Sequence, residues 1–203
     1  MRKIIMAGLC ALALSVVTGC GSDSQRYDAQ GTDGIVTTHE LDFKDYQIAA
    51  EKCINEMLRS GQLDRQDGRK NILMVNKVLN STSQHIDVDI LTQKIREALT
   101  SSGKVAVTTA VGGRGAEDTA TRDVRDLEDD DTFNQKTVKK PGTAIAPDLS
   151  LNGKIIQIKK KKGRVEESYF KVFITITDLE TGLSIWEGGQ EIMKQETKPL
   201  IGF

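Results

Sequence analysis

Few side chains in this sequence could do covalent or acid–base chemistry. Two histidines are present, His39 and His85, and neither stands near a plausible serine or cysteine nucleophile. A catalytic triad needs such a base beside its nucleophile. The glycine-rich stretch "VGGRGAED" lacks the Lys-Ser/Thr pair that completes a phosphate-binding loop. These patterns indicate that the protein is not an enzyme, and they predict no catalytic residue and no cofactor.

Cys20 has a chemical role that the residues before it suggest. Arg2 and Lys3 form a short positive segment, and the run from Ile4 to Val17 is apolar and uncharged. Even as a helix, this run would reach only about 21 Å, whereas a bilayer core is roughly 30 Å thick, so its length is that of a signal-peptide core. The small residues before the cysteine resemble the bacterial lipobox, in which the cysteine becomes the acylated first residue of the mature protein. The sequence therefore predicts a removed signal peptide over residues 1–19 and lipidation of Cys20.

The location of the protein follows from this anchor. The alternative to a lipoprotein signal is an ordinary cleaved secretory signal that happens to be followed by a cysteine. Three acyl chains would hold the protein at a membrane essentially permanently, since each buried methylene contributes about 0.8 kcal/mol. In bacteria with two membranes, an aspartate directly after the lipidated cysteine favours the inner membrane, but here Gly21 and Ser22 precede Asp23. We therefore expect a lipid anchor in the outer membrane, facing the periplasm.

A tether is expected between the anchor and the folded domain. Residues 20–41 are mostly Gly, Ser, Thr, Asp and Gln, a composition typical of flexible segments. About twenty residues reach roughly 70 Å when fully extended and roughly 25 Å as a coil. The folded domain then occupies residues 42–203. Because Cys20 carries lipid, Cys53 has no intramolecular partner, so the domain must be held by its apolar core rather than by disulfides.

The first half of the domain shows helical and strand patterns in alternation. Asp42 can cap a helix that continues to about Ser60, and Cys53 lies on its apolar stripe as a small buried residue. The segments that follow are a strand over 71–79, a turn over 80–82, a helix over about 87–102 and a strand over 105–109. A strand–helix–strand unit of this length indicates a parallel pair of strands with a right-handed crossover.

The segment from Ala110 to Ala146 is highly charged and has few large apolar residues. We expect part of it, from about Ala116 to Asp129, to be helical. The acidic cluster at Glu128–Asp131 could bind Ca²⁺, but it lacks the alternating ligand spacing and the glycine of a calcium loop. A solvated helix end is the preferred interpretation, and no metal site is predicted.

The last third of the chain is predicted to form three antiparallel strands. The stretch from Asp148 to Lys160 alternates apolar and polar residues, with a change of phase at Ile155–Ile156 that suggests a bulge. The stretch from Tyr169 to Asp178 alternates cleanly, and "LETG" forms a tight turn before a returning strand over 183–192. The predicted fold is a single α/β domain with a mixed sheet of about five strands. It is a βαβ unit followed by a three-stranded antiparallel meander, with helices packed on the sheet.

Two groups of side chains could contact a partner. The first is the basic stretch "KKKKGR", whose simpler interpretation is a solvated hairpin that blocks edge-to-edge aggregation. The second is a tryptophan after a tight turn, for which burial is the simpler interpretation, although tryptophan often anchors interfaces. The candidate partner-binding residues are Lys159, Lys160, Lys161, Lys162, Arg164 and Trp186. The net charge of −1 gives no indication of nucleic-acid binding.

Three stretches resemble a known family. They are "NILMVNKVLNSTSQHIDVDILTQKIREALTSSGKVAVTT", "APDLSLNGKI" and "ITDLETGLSIWEG", which together span about Asn71 to Glu191. This region is similar to the LpoB-type penicillin-binding-protein activator family, and more loosely to CsgG-like secretion lipoproteins of related α/β fold. The resemblance implies an outer-membrane lipoprotein that docks on a class A penicillin-binding protein and stimulates its peptidoglycan synthesis.

Two alternatives stay open at this point. One is a CsgG-like lipoprotein that assists secretion or the assembly of a surface structure, and the other is an envelope lipoprotein that shares only the fold. Oligomeric state separates the first alternative from the activator, because a secretion ring is a large oligomer. For an activator we expect a monomer whose partners are the synthase and, through the lipid, the membrane.

Overall fold

The sheet is the largest element in the part of the chain that the computed structural model describes, residues 40–112 and 117–198. It has six strands: β1 (Asn71–Val75), β2 (Leu79–Ser81), β3 (Val105–Val107), β4 (Leu149–Lys162), β5 (Val165–Asp178) and β6 (Ser184–Thr197). Five of them follow the order β3-β1-β4-β5-β6, and β2 pairs with β4 beside this path. The predicted signal peptide, the lipidation site Cys20 and nearly all of the predicted tether lie outside the described residues. The structure confirms the predicted α/β class with a mixed sheet and helices packed on it, and it adds a sixth strand.

Helix α1, Phe43–Arg59, begins where the sequence predicts. The Asp42 side chain accepts from the Asp45 backbone N–H, and the Asp45 side chain accepts from the Asp42 N–H. This reciprocal pair is a capping box, which satisfies two N–H groups that the helix itself cannot. The apolar stripe of the helix is buried in the core, and Cys53 lies within it, as predicted.

The βαβ unit consists of β1, Asn71–Val75, helix α2, Val88–Ser102, and β3, Val105–Val107. Strands β1 and β3 pair in parallel, which confirms the predicted parallel pairing, while the right-handed crossover stays a prediction. Asp87 caps α2 by accepting hydrogen bonds from the N–H groups of Asp89 and Ile90. Parallel pairing requires a crossover long enough to return the chain to the same end of the sheet, and α2 provides it.

The turn predicted over residues 80–82 is wrong for its first two residues, Asn80 and Ser81, which belong to a strand. Leu79–Ser81 forms a short strand, β2, that pairs in parallel with β4. The chain leaves β1 at Asn76, whose N–H donates to the Leu151 carbonyl, and rejoins the same neighbour at β2. The sequence did not show this pairing because the partner residues in β4 lie 75 positions further along the chain.

Three long strands form the meander: β4, Leu149–Lys162, β5, Val165–Asp178, and β6, Ser184–Thr197. They pair antiparallel in order, and β4 also pairs in parallel with β1, so the two halves share one sheet. The predicted bulge at Ile155–Ile156 is wrong, because the β4–β5 register is unbroken from one end to the other. Ile156 instead lies on the opposite face from Ile155, and the apolar run reflects apolar residues on both faces.

The core lies between one face of the sheet and helices α1 and α2. Both helices contact each other, with α1 against β5 and β6 and α2 against β3. The predicted inward face of β5 is confirmed, since its alternate residues are at most 2% exposed; they are Phe170, Val172, Ile174 and Ile176. We call the other side of the sheet the open face. Its residues on β4 to β6 alternate with those of the core face.

The charged segment after β3 departs from prediction. Its regular helix, α3, covers only Ala120–Asp123 and is followed by turns, so the expected helix to Asp129 is wrong. Asp129 itself has φ +68°, which is incompatible with a continuing helix. No residue of α3 is buried, so no apolar face stabilises a longer helix here.

Candidate docking surface

The predicted basic stretch forms the end of the β4–β5 hairpin. We call Lys159–Arg164 the basic tip. Its four lysines are not in a loop but at the end of β4, where they pair with residues 165–168 of β5. Only Gly163 and Arg164 connect the strands, and Gly163 has φ +59°, as the first position of a type II′ turn requires. Because side chains alternate along a strand, Lys160 and Lys162 point to the open face, and the other two lysines point to the opposite side.

The five cations of the basic tip are exposed and have no ion pair with any residue in the described ranges. Three carboxylates stand nearby: Glu166 and Glu167 are paired across the hairpin with Lys161 and Lys160, and Glu196 is paired with Glu166 on the next strand. Lys198, directly after the end of β6, lies 3.2 Å from Glu166 and forms an ion pair with it. The five cations of the tip outnumber the three carboxylates beside them, so this end of the hairpin carries a net positive charge.

An apolar row lies on the open face directly beside the basic tip. Ile158, Tyr169 and Met193 are paired across β4, β5 and β6, so they lie side by side. Ile158 is 50% exposed and Met193 is 65% exposed. Partial burial raises the pKa of the Tyr169 hydroxyl, and a hydrogen bond to Glu191 adds to this rise. Lysines and an exposed apolar row thus occupy neighbouring positions at one end of the sheet.

Trp186 lies far from the basic tip, so the structure does not bring the two candidate regions together. It pairs with Ile176, whereas the tip pairs with residues up to Ser168, a separation of about 27 Å along β5. Trp186 is half-buried, and its ring packs over Gly188 on the core face. It serves as a packing residue with one exposed edge.

The chain enters the domain beside the basic tip. The N–H of Leu41 donates to the Gln84 side chain over 3.0 Å. Lys194 of β6 forms ion pairs with Asp42, at 3.6 Å, and with Asp45. Lys194 pairs with Ser168, which in turn pairs with Lys159. The start of the described chain, residues 40–42, which we call the tether root, therefore lies level with the first lysine of the tip.

Cys53 and His85, the cysteine and the histidine in the described ranges, differ in their exposure. Cys53 is fully buried, and its thiol lies 3.8 Å from the Val172 carbonyl. Burial, together with the nearby Glu56 carboxylate, raises the pKa of this thiol to about 11, so it is not a nucleophile at neutral pH. His85 is exposed, and His39 lies outside the described residues.

The acidic cluster of the middle segment is explained by local contacts. Asp130 accepts a hydrogen bond from the Thr132 N–H over 2.9 Å, and this bond lowers the pKa of Asp130. Glu128 forms an ion pair with Lys140 at 2.9 Å. Within residues 40–112 and 117–198, no three His, Cys, Asp or Glu side chains are grouped as metal ligands. In the same ranges, no helix is long and apolar enough to cross a membrane.

Two aspartates have structural roles that the sequence did not reveal. The Asp148 carboxylate accepts from the Ile72 N–H over 2.8 Å, which joins the start of β4 to β1. The Asp178 carboxylate accepts from the N–H and hydroxyl of Thr181 over 2.7 and 2.8 Å, which shapes the turn between β5 and β6. Both lie in the stretches "APDLSLNGKI" and "ITDLETGLSIWEG", so these motifs build the end of the sheet where Trp186 lies.

Comparison with known protein families places this fold. A family model described as peptidoglycan-synthase activator LpoB matches residues 45–192, from the first turn of α1 into β6. The match covers well over half of the chain. The chain belongs to the LpoB family. The resemblance predicted from residues 71–191 is therefore confirmed, and the LpoB match also includes α1, whose sequence had shown only a helical pattern.

Solved structures of LpoB domains are among those to which the chain is similar. The LpoB C-terminal domain from Salmonella enterica is 16% identical, and the match covers 73% of this chain and 98% of that chain with a TM-score of 0.41. The LpoB C-terminal domain from Escherichia coli is 14% identical, with the same coverages and TM-score. The PelC dodecamer from Paraburkholderia phytofirmans is 12% identical, covering 61% of this chain and 71% of that chain with a TM-score of 0.34. No curated protein sequence matches the chain.

Proposed function

We propose that this LpoB-family chain is an outer-membrane lipoprotein that binds a class A penicillin-binding protein in the periplasm and activates its peptidoglycan synthesis. The observation that carries the proposal is the family match over residues 45–192, which covers the helices and most of the sheet. The protein itself is not the enzyme. In support, the thiol of Cys53 is buried in the core.

Activation by a non-enzymatic domain is a binding effect. A partner that binds the active conformation of a synthase more tightly than the inactive one shifts the equilibrium toward the active state. The shift cannot exceed the difference between the two binding free energies, and a difference of about 1.4 kcal/mol corresponds to a tenfold change in population. The domain needs only a surface that fits the active synthase, which a rigid sheet with one half-buried tryptophan could offer.

The position of the tether root indicates which end of the domain faces the synthase. Lipidation of Cys20 would hold the tether root near the outer membrane, while a synthase anchored in the other membrane approaches from the opposite side. Trp186 lies about 27 Å from Lys194, next to the tether root, at the other end of β6. We propose that the synthase contacts this far end, with Trp186 as one contact residue, and that a single copy of the chain is sufficient.

A glycan-polymerisation assay tests the activation. The class A synthase of the native host is incubated with lipid substrate, with and without the mature chain carrying Cys20→Ser, so that no acyl chain is needed. We expect faster polymerisation with the protein present and a smaller stimulation with Trp186→Ala. The circular dichroism of the variant controls for folding. No stimulation by the folded wild-type domain would refute the proposal.

A crosslinking pulldown from membranes of the native host tests the partner and the anchor. We expect the lipidated protein to recover a class A penicillin-binding protein, and a mislocalised Cys20→Ala form to lose it. Recovery of the protein alone, as a high-mass oligomer, would contradict the activator and would favour a secretion or assembly role instead.

A further inference from the structure

We propose that the basic tip binds the anionic phospholipid headgroups of the membrane in which the protein is anchored. The domain would then stand with this end on the membrane and its far end directed into the periplasm. The orientation rests on the proposed lipid anchor at Cys20, whereas the lipid-binding property belongs to the folded domain alone. Three independent features of the structure support it.

The first feature is the charge of the tip. Lys159–Lys162 and Arg164 give five cations within six residues, all exposed and without an ion pair to any residue of 40–112 or 117–198. Some other surface lysines pair, for example Lys140 with Glu128 at 2.9 Å, and what distinguishes the tip is that its five cations follow one another within six residues. Unpaired cations next to an anionic leaflet each contribute up to about 1 kcal/mol to membrane binding.

The second feature is the position of the tip relative to the tether. The tether root is level with Lys159, because Asp42 pairs with Lys194 and Lys194 is in register with Ser168 and Lys159. Gly163 lies four positions beyond Lys159, so the tip extends about 14 Å beyond the root. A coil of about twenty residues spans roughly 25 Å, so the tether would hold the tip within reach of the lipid surface.

The third feature is the apolar row next to the lysines. Ile158, Tyr169 and Met193 are on the same face as Lys160 and Lys162, and Ile158 and Met193 are at least half exposed. An apolar stripe beside lysines is typical of surfaces that lie in the interface between headgroups and acyl chains, and tyrosine is enriched there. This row would enter the headgroup layer while the lysines contact the phosphates.

A lipid surface fits the tip better than a folded protein partner. Four of the five cations of the tip are lysines, with Arg164 as the fifth. Lysine carries a compact, strongly hydrated charge on a flexible stem, and it does not define a fixed geometry as a bidentate arginine does. Protein interfaces centre on buried aromatic or arginine anchors in well-packed pockets, and the single tryptophan lies at the other end of the sheet. Mobile phosphates in a fluid bilayer can adapt to the lysines.

Vesicle binding tests the proposal without any dependence on acylation. The mature chain with Cys20→Ser is sedimented with vesicles of phosphatidylglycerol and phosphatidylethanolamine, or of phosphatidylcholine alone. We expect binding only to the anionic vesicles, and its loss at about 1 M salt, where the Debye length is only about 3 Å. The tip variant changes all four lysines to glutamine: Lys159→Gln, Lys160→Gln, Lys161→Gln and Lys162→Gln. We expect it to bind at least tenfold more weakly.

A matched control removes the same charge elsewhere. It carries four substitutions at exposed lysines on α1, before β1 and in the middle segment: Lys52→Gln, Lys70→Gln, Lys136→Gln and Lys139→Gln. We expect this control to bind anionic vesicles within about twofold of the wild type, because its charges lie away from the tip. Equal binding of anionic vesicles by the tip variant and the control would overturn the proposal. So would a wild-type protein that binds both vesicle types equally, or that binds neither type.

The same proteins separate this inference from the proposed function. We expect the tip variant to stimulate the synthase normally in detergent, where no membrane surface contributes. If it lost stimulation but still bound vesicles, the tip would be part of the synthase interface and the lipid assignment would be wrong. If the wild type bound vesicles through its tip but never stimulated a synthase, the activator proposal alone would fail.

Discussion

The contact between Trp186 and Gly188 provides the sharpest test of the packing described above. The two residues are on the core face of β6, and the indole lies over the glycine. A Cβ added at Gly188 would come within 2.5 Å of the ring atom Cζ2, a distance that real Cβ atoms do not adopt. The substitution Gly188→Ala must therefore displace the indole from its position against the core.

The cost of Gly188→Ala is the difference between two terms. Overpacking a well-packed site typically costs about 1–3 kcal/mol. Alanine is favoured over glycine within a strand by roughly 0.5–1 kcal/mol, because it loses less conformational entropy on folding. We expect a net loss of about 1–2 kcal/mol in the free energy of unfolding. In a Trp186→Ala background the clash is absent, so the same substitution should stabilise the protein by roughly 0.5 kcal/mol.

Urea unfolding of the four proteins in this double-mutant cycle measures both values. Circular dichroism is the appropriate signal, because Trp186 is the only tryptophan and its removal abolishes tryptophan fluorescence. Gly189→Ala is the matched control. Its Cβ would lie 2.9 Å from Phe173 Cβ and 3.1 Å from the Val172 carbonyl, not against the indole. Its cost should be the same with or without Trp186. If Gly188→Ala lowered the free energy of unfolding by the same amount with and without Trp186, the proposed clash between the alanine and the indole would be refuted.

Three further predictions follow from buried and capping groups. In the mature chain with Cys20→Ser, the thiol of Cys53 should react with a thiol reagent at about pH 8 only when the protein unfolds, because burial raises the pKa of this thiol to about 11. Rapid labelling of the native protein would contradict the burial of Cys53. Hydrogen bonds from the β5–β6 turn lower the pKa of Asp178, so its contribution to stability is present above about pH 4 and is lost as the pH falls. Asp178→Asn should therefore flatten the decrease in urea midpoint below about pH 4, and an unchanged decrease would exclude this role. Asp42→Ala should lower the free energy of unfolding by about 1–2 kcal/mol, measured by thermal or urea unfolding. Asp87 caps α2 without a capping box, so Asp87→Ala should lower it by only about 1 kcal/mol. A smaller loss at Asp42 than at Asp87 would speak against the capping box.

Features that depend on near neighbours in the chain were predictable from the sequence. Asp42 and Asp87 each cap the helix that follows, because the hydrogen bonds of a cap join residues only two or three positions apart. The clean alternation around Phe170 gave the buried face of β5, since the side chains of a strand alternate whatever its partner is. The family could also be identified, because its motifs at residues 146–155 and 176–188 are short and continuous.

Features that depend on distant partners were missed or wrong. The strand β2 exists because Leu79–Ser81 pairs with β4. All three residues of β2 are exposed, so they show no alternation of buried and exposed positions that would indicate a strand. The predicted bulge at Ile155–Ile156 failed because both faces of β4 carry isoleucine, and only the register with β5 shows which face is buried. The helix expected up to Asp129 failed because nothing packs against an apolar side of it.

For the candidate site, the sequence by itself determined which residues are present and the tertiary structure decided where they lie. The basic stretch, Trp186 and the predicted lipidation at Cys20 could all be read from residue types and short spacings. Only the pairing of β4, β5 and β6 shows that the basic tip lies beside the tether root while Trp186 lies about 27 Å away. The reason is that strand register, which sets these distances, is a contact between segments far apart in the chain, and no property of one segment alone encodes it.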